Sequence, residues 1–176
     1  MTAPYPRTAC CALPVFLFAL PAAAQTAVAH LQNTSGEEIG VVSFVPLAAG
    51  GVHITVSAIG LPPGIRGFHI HEVGECDPDD AFASAGDHFN PTDAAHGWDA
   101  PDGPHAGDLP NLHVHQDGTV AVEFFHTLVS LDEGAETSLI GGDGTAILIH
   151  EHADDYLSQP TGEAGDRIAC GVIELE

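Results

Sequence analysis

The segment Gly67-Phe68-His69-Ile70-His71-Glu72 alternates apolar and polar side chains with a period of two. That is the signature of a strand, in which side chains at i and i+2 share one face. Phe68 and Ile70 are assigned to a core, and His69 and His71 converge on the opposite face. Taken alone, such a pair is equally at home on a solvated surface. The same alternation recurs at Val52, Ile54 and Val56. Outward from these two points, eight β-rich runs are expected: Ala27–Asn33, Glu38–Pro46, Val52–Ile59, Gly67–Glu72, Asn111–Gln116, Thr119–Phe125, Thr145–His150 and Ile168–Leu175. Turn-forming sequences separate them, including Asn33-Thr34-Ser35-Gly36, Pro62-Pro63-Gly64, Gln116-Asp117-Gly118 and Gly141-Gly142-Asp143-Gly144. No stretch beyond residue 24 has a convincing helical period, so an all-β antiparallel sandwich or barrel is expected.

Two segments break this rhythm. Residues 73 to 110 form a long insert rich in Gly, Pro, Asp and His, and residues 151 to 167 form a second loop. Long ordered loops in compact domains are usually functional. His88, His96, His105 and Asp108 fall within 21 residues of the insert. Imidazole nitrogen and carboxylate oxygen suit a four-coordinate zinc, and a loop this polar needs a clamp other than a hydrophobic core. His150 ends the apolar run Ala146-Ile147-Leu148-Ile149 and joins His69 and His71 as a candidate ligand. Histidines without a sulfur ligand suit copper, whose cupric state favours tetragonal nitrogen coordination. His30, His53, His113, His115, His126 and His152 lie in strands or loops without an obvious partner set and read as surface residues.

The ends and the composition narrow the setting. Arg7, the apolar run Ala12 to Leu20 and the small residues Ala22, Ala23 and Ala24 read as a secretory signal peptide over residues 1 to 24. The apolar run is short and interrupted by Pro14 and Pro21, which argues against a membrane span. Cys10 invites a lipoprotein reading, which Arg7 and Thr8 disfavour. Residues 25 to 176 then form one domain with a real core. Its two cysteines, Cys76 and Cys170, suggest a disulfide in an exported chain. All 25 acidic residues lie in this part, against Arg66 and Arg167 and no lysine, so its formal charge is 2 minus 25, or −23. Nucleic acid and anionic lipid are poor partners for such a surface. Adaptation to a salty medium, where screening weakens self-repulsion, would account for the excess.

Six stretches, in order, resemble the copper,zinc superoxide dismutases of the bacterial exported type. They are Gly67-Phe68-His69-Ile70-His71-Glu72, His88-Phe89-Asn90-Pro91, His96-Gly97, Gly103-Pro104-His105-Ala106-Gly107-Asp108-Leu109-Pro110-Asn111, His150-Glu151-His152-Ala153-Asp154-Asp155 and Arg167-Ile168-Ala169-Cys170-Gly171. The resemblance implies a flattened eight-stranded Greek-key β-barrel with one copper and one zinc ion. It implies copper on His69, His71, His88 and His150, and zinc on His88, His96, His105 and Asp108, with His88 bridging the two. It further implies that Asp154 joins the rings of His69 and His96, that Cys76 and Cys170 are bonded, and that Arg167 receives the substrate, superoxide. Catalysis would then rest on His88 and Arg167, in the periplasm.

Related proteins include monomers and dimers, which leaves room for a homodimer and for a copper-delivery partner. Relatives often carry lysines near the channel. This chain has none, and His152, Glu163 and Asp166 stand in the second loop. Slower capture of the anion is expected, with focusing left to Arg167 and the metals. Arg66 either assists or pairs with a neighbouring carboxylate, the second being the expectation. Two other readings compete: a non-enzymatic copper carrier on the same fold and a zinc-stabilised binding module. Retention of His150 and Arg167 argues against the first, and His88, Asp154 and Arg167 together argue against the second.

Overall fold

The chain builds its core from alternating strands, and the computed structural model describes residues 25 to 176. The segment read as a signal peptide lies outside the described residues. The strands are β1 (Ala27–Asn33), β2 (Glu38–Pro46), β3 (Val52–Ala58), β4 (Gly64–Arg66), β5 (Phe68–His71), β6 (Leu112–Val114), β7 (Val120–His126), β8 (Ala146–His150), β9 (Arg167–Val172) and β10 (Glu174–Leu175). The main sheet runs β5-β8-β9-β1-β2-β3-β7, with β10 also paired to β1, and β4 and β6 form a separate two-stranded ladder. Every pairing between these strands is antiparallel. Among the described residues the only helical elements are two short 3-10 turns, Pro78–Asp80 and Ala83–Ala85.

Period-two alternation does the packing. In β3, Val52, Ile54, Val56 and Ala58 are buried, whereas Thr55 and Ser57 are exposed. Together with Leu31, Phe44, Phe68, Ile70, Leu112, Ile147 and Ile149 they make one continuous core. Phe68, on the first strand of the sheet path, lies with its ring centroid 6.0 Å from that of Phe124 on the last. The sheet therefore curls until its two ends share a core.

The expected strand runs are all occupied by strands, with refinements. Gly64–Arg66, next to the expected Pro62-Pro63-Gly64 turn, is a strand of its own. The last run is divided at Ile173, whose amide turns away to Thr145 O at 3.0 Å. A third irregular segment between β7 and β8 was not singled out by composition. It carries its own apolar anchors, Leu131 and Leu139, both buried.

The two functional loops leave from strand ends that lie side by side. The insert connects β5 to β6 and the second loop connects β8 to β9, while β5 pairs β8 and β8 pairs β9. Cys76 and Cys170 are joined as a disulfide, with Cα atoms 5.7 Å apart. That bond pins the start of the insert to β9 within a small apolar cluster of Phe82, Ala85, Ala146 and Leu148.

Candidate metal centre

Strand β5 presents His69 and His71 on the face opposite Phe68 and Ile70, and both rings are buried. The insert folds back along this strand rather than away from it. Phe89 N donates to Ile70 O, and Ile70 N donates to Gly107 O, each at 2.8 Å. Single bridges set His88 opposite His71 and Asp108 opposite His69. Gly107 is required here, because a Cβ at this position would collide with the Ile70 carbonyl. Antiparallel pairing of β8 with β9 sets Arg167 opposite His150. Four segments distant in sequence thus deliver their functional groups to one end of the sheet.

Two cages result, and they share His88. In the first, ligand atoms of His69, His71, His88 and His150 lie within 4.8 Å of one another. One nitrogen of each ring is buried without a hydrogen-bond partner: His69 Nδ1, His71 Nε2, His88 Nε2 and His150 Nε2. Buried nitrogen atoms are seldom left unpaired, and four converging together are a donor set for a metal. The outer nitrogen of three of these rings is held: His69 Nε2 by Asp154 Oδ2 (2.8 Å), His71 Nδ1 by Gly86 O (2.9 Å) and His150 Nδ1 by Gly165 O (3.3 Å). Donation outward leaves the inner nitrogen with its lone pair.

In the second cage, Asp108 Oδ1 lies 3.0 Å from His88 Nδ1, 3.0 Å from His96 Nδ1 and 3.4 Å from His105 Nδ1. His105 Nδ1 is 3.5 Å from His88 Nδ1. A tetrahedron with such edges has its centre about 2 Å from each corner, the length of a zinc–nitrogen or zinc–oxygen bond. The other oxygen, Asp108 Oδ2, accepts from Gly97 N (2.8 Å) and His105 N (3.0 Å), which fixes the carboxylate.

Asp154 spans the two cages. Its Oδ2 meets His69 Nε2 at 2.8 Å and its Oδ1 meets His96 Nε2 at 3.0 Å. Gly162 makes room for it, since a side chain there would collide with Asp154 Oδ1. Burial lowers the pKa of His71 and His150 well below that of free histidine, and lowers that of His88 to about 4. Burial also works against charge on His96, but hydrogen bonds to Asp108 and Asp154 outweigh it and raise His96 to about 9. Hydrogen bonds with His105, His88 and His96 hold the Asp108 carboxyl, and those with His69 and His96 hold that of Asp154, well below the usual carboxylate range despite their burial.

The structure brings His69, His71, His88, His96, His105, Asp108, His150, Asp154 and Arg167 together at this end of the sheet. Arg167 donates to the carbonyls of Phe82 and Gly86, and Gly86 O also holds His71. Among the described residues Arg66 pairs with no carboxylate. Its guanidinium serves the carbonyls of Pro62, Pro63 and Glu151.

Five of the six remaining histidines are at or near the surface as expected, but His126 is buried and donates to Ala106 O at 2.7 Å. Its position at the end of β7 gave no sign of this. Asn111 was also missed as a functional residue, although it belongs to the quoted motif. Its amide brackets the Asp154 peptide, accepting from Asp154 N and donating to Asp154 O, each at 2.8 Å.

Fold and site together define a class: a disulfide-linked, curled β-sheet protein with two adjoining cages, one of four imidazoles and one of three imidazoles and a carboxylate. Residues 38–173 match the family model described as copper/zinc superoxide dismutase (SODC). A Cu-Zn superoxide dismutase of Aquifex aeolicus is 47% identical over 147 residues, covering 83% of this chain and 86% of that protein. A superoxide dismutase-like protein of Bacillus subtilis is 44% identical over 145 residues, covering 82% of this chain and 74% of that protein. The crystal structure of a SOD-like protein from Bacillus subtilis is similar with a TM-score of 0.79 at 44% identity, over 82% of this chain and 96% of that one. The chain belongs to the copper/zinc superoxide dismutase family.

Proposed function

We propose that this chain converts two superoxide ions and two protons to oxygen and hydrogen peroxide. Copper is assigned to His69, His71, His88 and His150, and zinc to His88, His96, His105 and Asp108. The observation that carries this reading is the set of four buried, unpartnered imidazole nitrogens beside a tetrahedral cage that shares His88. Held there, copper would supply a one-electron redox couple.

The protein supplies the rest. Arg167, a permanently charged fork anchored on two carbonyls and standing opposite His150, binds and orients the diatomic anion. His88 faces the zinc cage through Nδ1, so Nε2 is the atom at which it takes up a proton and gives it to the product. Asp154 holds the rings of His69 and His96 in the tautomer that keeps their inner nitrogens available.

The deciding experiment is to load residues 25 to 176 with copper and zinc and follow superoxide decay by pulse radiolysis. Catalytic decay that is lost on copper removal is expected. A fully loaded protein that fails to accelerate decay would sink the enzymatic reading and favour a copper carrier.

The cavity beside Arg167, about 630 Å³, is also lined by Asp80, Glu151 and Asp166. Three carboxylates surround one guanidinium, so salt screens more repulsion than attraction. The capture rate is expected to stay flat or rise between about 0.01 and 0.15 M ionic strength, the range over which the Debye length falls to about 8 Å. A steep fall with salt would contradict this.

Zinc binding carries its own pH dependence. His96, raised to about 9, is protonated in the metal-free chain at neutral pH and must lose that proton to become a ligand. Acid therefore opposes binding: below pH 9 zinc affinity is expected to fall about tenfold per pH unit from this group alone. Titration calorimetry at pH 7 in buffers of different ionisation enthalpy should count about one proton released from His96; a count near zero would contradict the assignment.

We read residues 1 to 24 as a signal peptide and residues 25 to 176 as the exported domain, in the periplasm. The Cys76–Cys170 bond supports an oxidising compartment. No described helix is long and apolar enough to cross a membrane. Amino-terminal sequencing of the protein from the cell envelope should find a start close to Gln25.

A further inference from the structure

Gln159 lies in the second loop and faces neither cage with a ligand atom. Its amide nonetheless holds both peptide groups of the zinc-cage residue His96. Gln159 Oε1 accepts from His96 N at 2.8 Å, and Gln159 Nε2 donates to His96 O at 2.8 Å. The same Nε2 donates to Leu157 O at 2.9 Å. Among the described residues these are the hydrogen bonds made by the His96 peptide groups, and no strand holds this part of the insert. A side chain 63 positions away thus does for His96 what a neighbouring strand does for His69.

The residues that follow Gln159 border the same cage from outside. Pro160 and Thr161 line a cavity of about 300 Å³ together with Glu72, Asp87, Asn90, His88 and His105. Through this cavity solvent approaches the His88–His105 edge. Whatever holds segment 157–161 in place therefore also governs how readily that edge is exposed.

We propose that Gln159 is a positioning residue: it latches segment 157–161 to His96 and thereby sets the rate at which zinc leaves its cage. The proposal rests on the zinc assignment given above. Breaking the latch frees the His96 backbone and the segment bordering the cavity together. Release then accelerates while the copper cage, anchored on β5 and β8, is left in place.

The test uses the protein loaded with copper and zinc. Gln159→Met keeps the length and bulk of the side chain and removes all three hydrogen bonds. Zinc release into excess chromophoric chelator is expected to be about 10- to 100-fold faster than in the parent protein, the range found when a partner of a metal ligand is lost. Unfolding of the metal-free variant should stay within a few degrees of the parent. Cobalt placed in the zinc cage reads the site directly, and its tetrahedral d–d bands should shift or broaden in the variant.

An unchanged release rate would overturn the latch. So would faster release accompanied by an equal loss of stability in the metal-free form, which would make Gln159 a general support of the fold. A parent protein that takes up cobalt without tetrahedral bands would instead sink the zinc assignment, and the latch with it.

Discussion

Replacing Asp154 with asparagine is expected to weaken copper binding about 10- to 100-fold while zinc binding falls by less than about tenfold. The asymmetry follows from hydrogen-bond direction. Asp154 accepts from His69 Nε2 on Oδ2, and from both His96 Nε2 and Tyr156 N on Oδ1. An amide has one accepting and one donating end. Tyr156 N, a donor 2.6 Å away, selects oxygen at the Oδ1 position. The amide nitrogen then faces His69 Nε2, and that ring must accept there and carry its own proton on Nδ1. Nδ1 is the His69 atom aimed into the four-imidazole cage. Asp154→Ala, which leaves Nε2 of both rings without its partner, is expected to weaken both metals about 10- to 100-fold. Competition titrations against chelators of known affinity measure each metal separately. Equal losses in Asp154→Asn would show that the amide does not orient as argued.

Removing the Cys76–Cys170 bond with paired alanines is expected to cost about 4 to 5 kcal/mol in the chain-entropy model, since it closes a loop spanning most of the domain. For a domain of this size that corresponds to a melting temperature lower by about 10 to 18 °C. The comparison belongs to the metal-free form, because bound metals add stability of their own. A second effect should accompany the first. The bond pins the segment whose Phe82 and Gly86 carbonyls hold Arg167, and Phe82 and Ala85 pack in the cluster around it. Release of that segment frees the guanidinium, so catalytic turnover should fall even in variant protein kept folded and fully loaded with metal. Calorimetry reads the first effect and superoxide decay the second. A melting shift below about 3 °C would show that native strain or residual structure in the unfolded chain cancels the entropic gain.

Periodicity and chemistry made most of the centre legible. Phe68 and Ile70 against His69 and His71 announced both the strand and its polar face, and burial of all four agrees. The cluster His88, His96, His105 and Asp108 stood out because a polar loop has little other use for so many ligands. What stayed hidden was backbone-directed. Asn111 acts on the peptide groups of Asp154, His126 on the Ala106 carbonyl, and Arg66 on three carbonyls. Main-chain acceptors exist at every residue, so no sequence spacing distinguishes the one that will be used. Short β4 was missed for a related reason: three residues after a Pro-Pro turn offer too little alternation to declare a strand.

By itself, then, the sequence determined the strand pattern, the ligand types and the two loops that carry function, because these depend on side-chain chemistry at fixed local spacing. Only the tertiary structure decided which nitrogen of each ring faces a cage, how Asp154 divides its oxygens between His69 and His96, and where Arg167 is anchored. Those features arise where β5, β8 and the returning insert meet. Their partners lie as many as 85 positions apart, and only the folded chain brings them within hydrogen-bond reach.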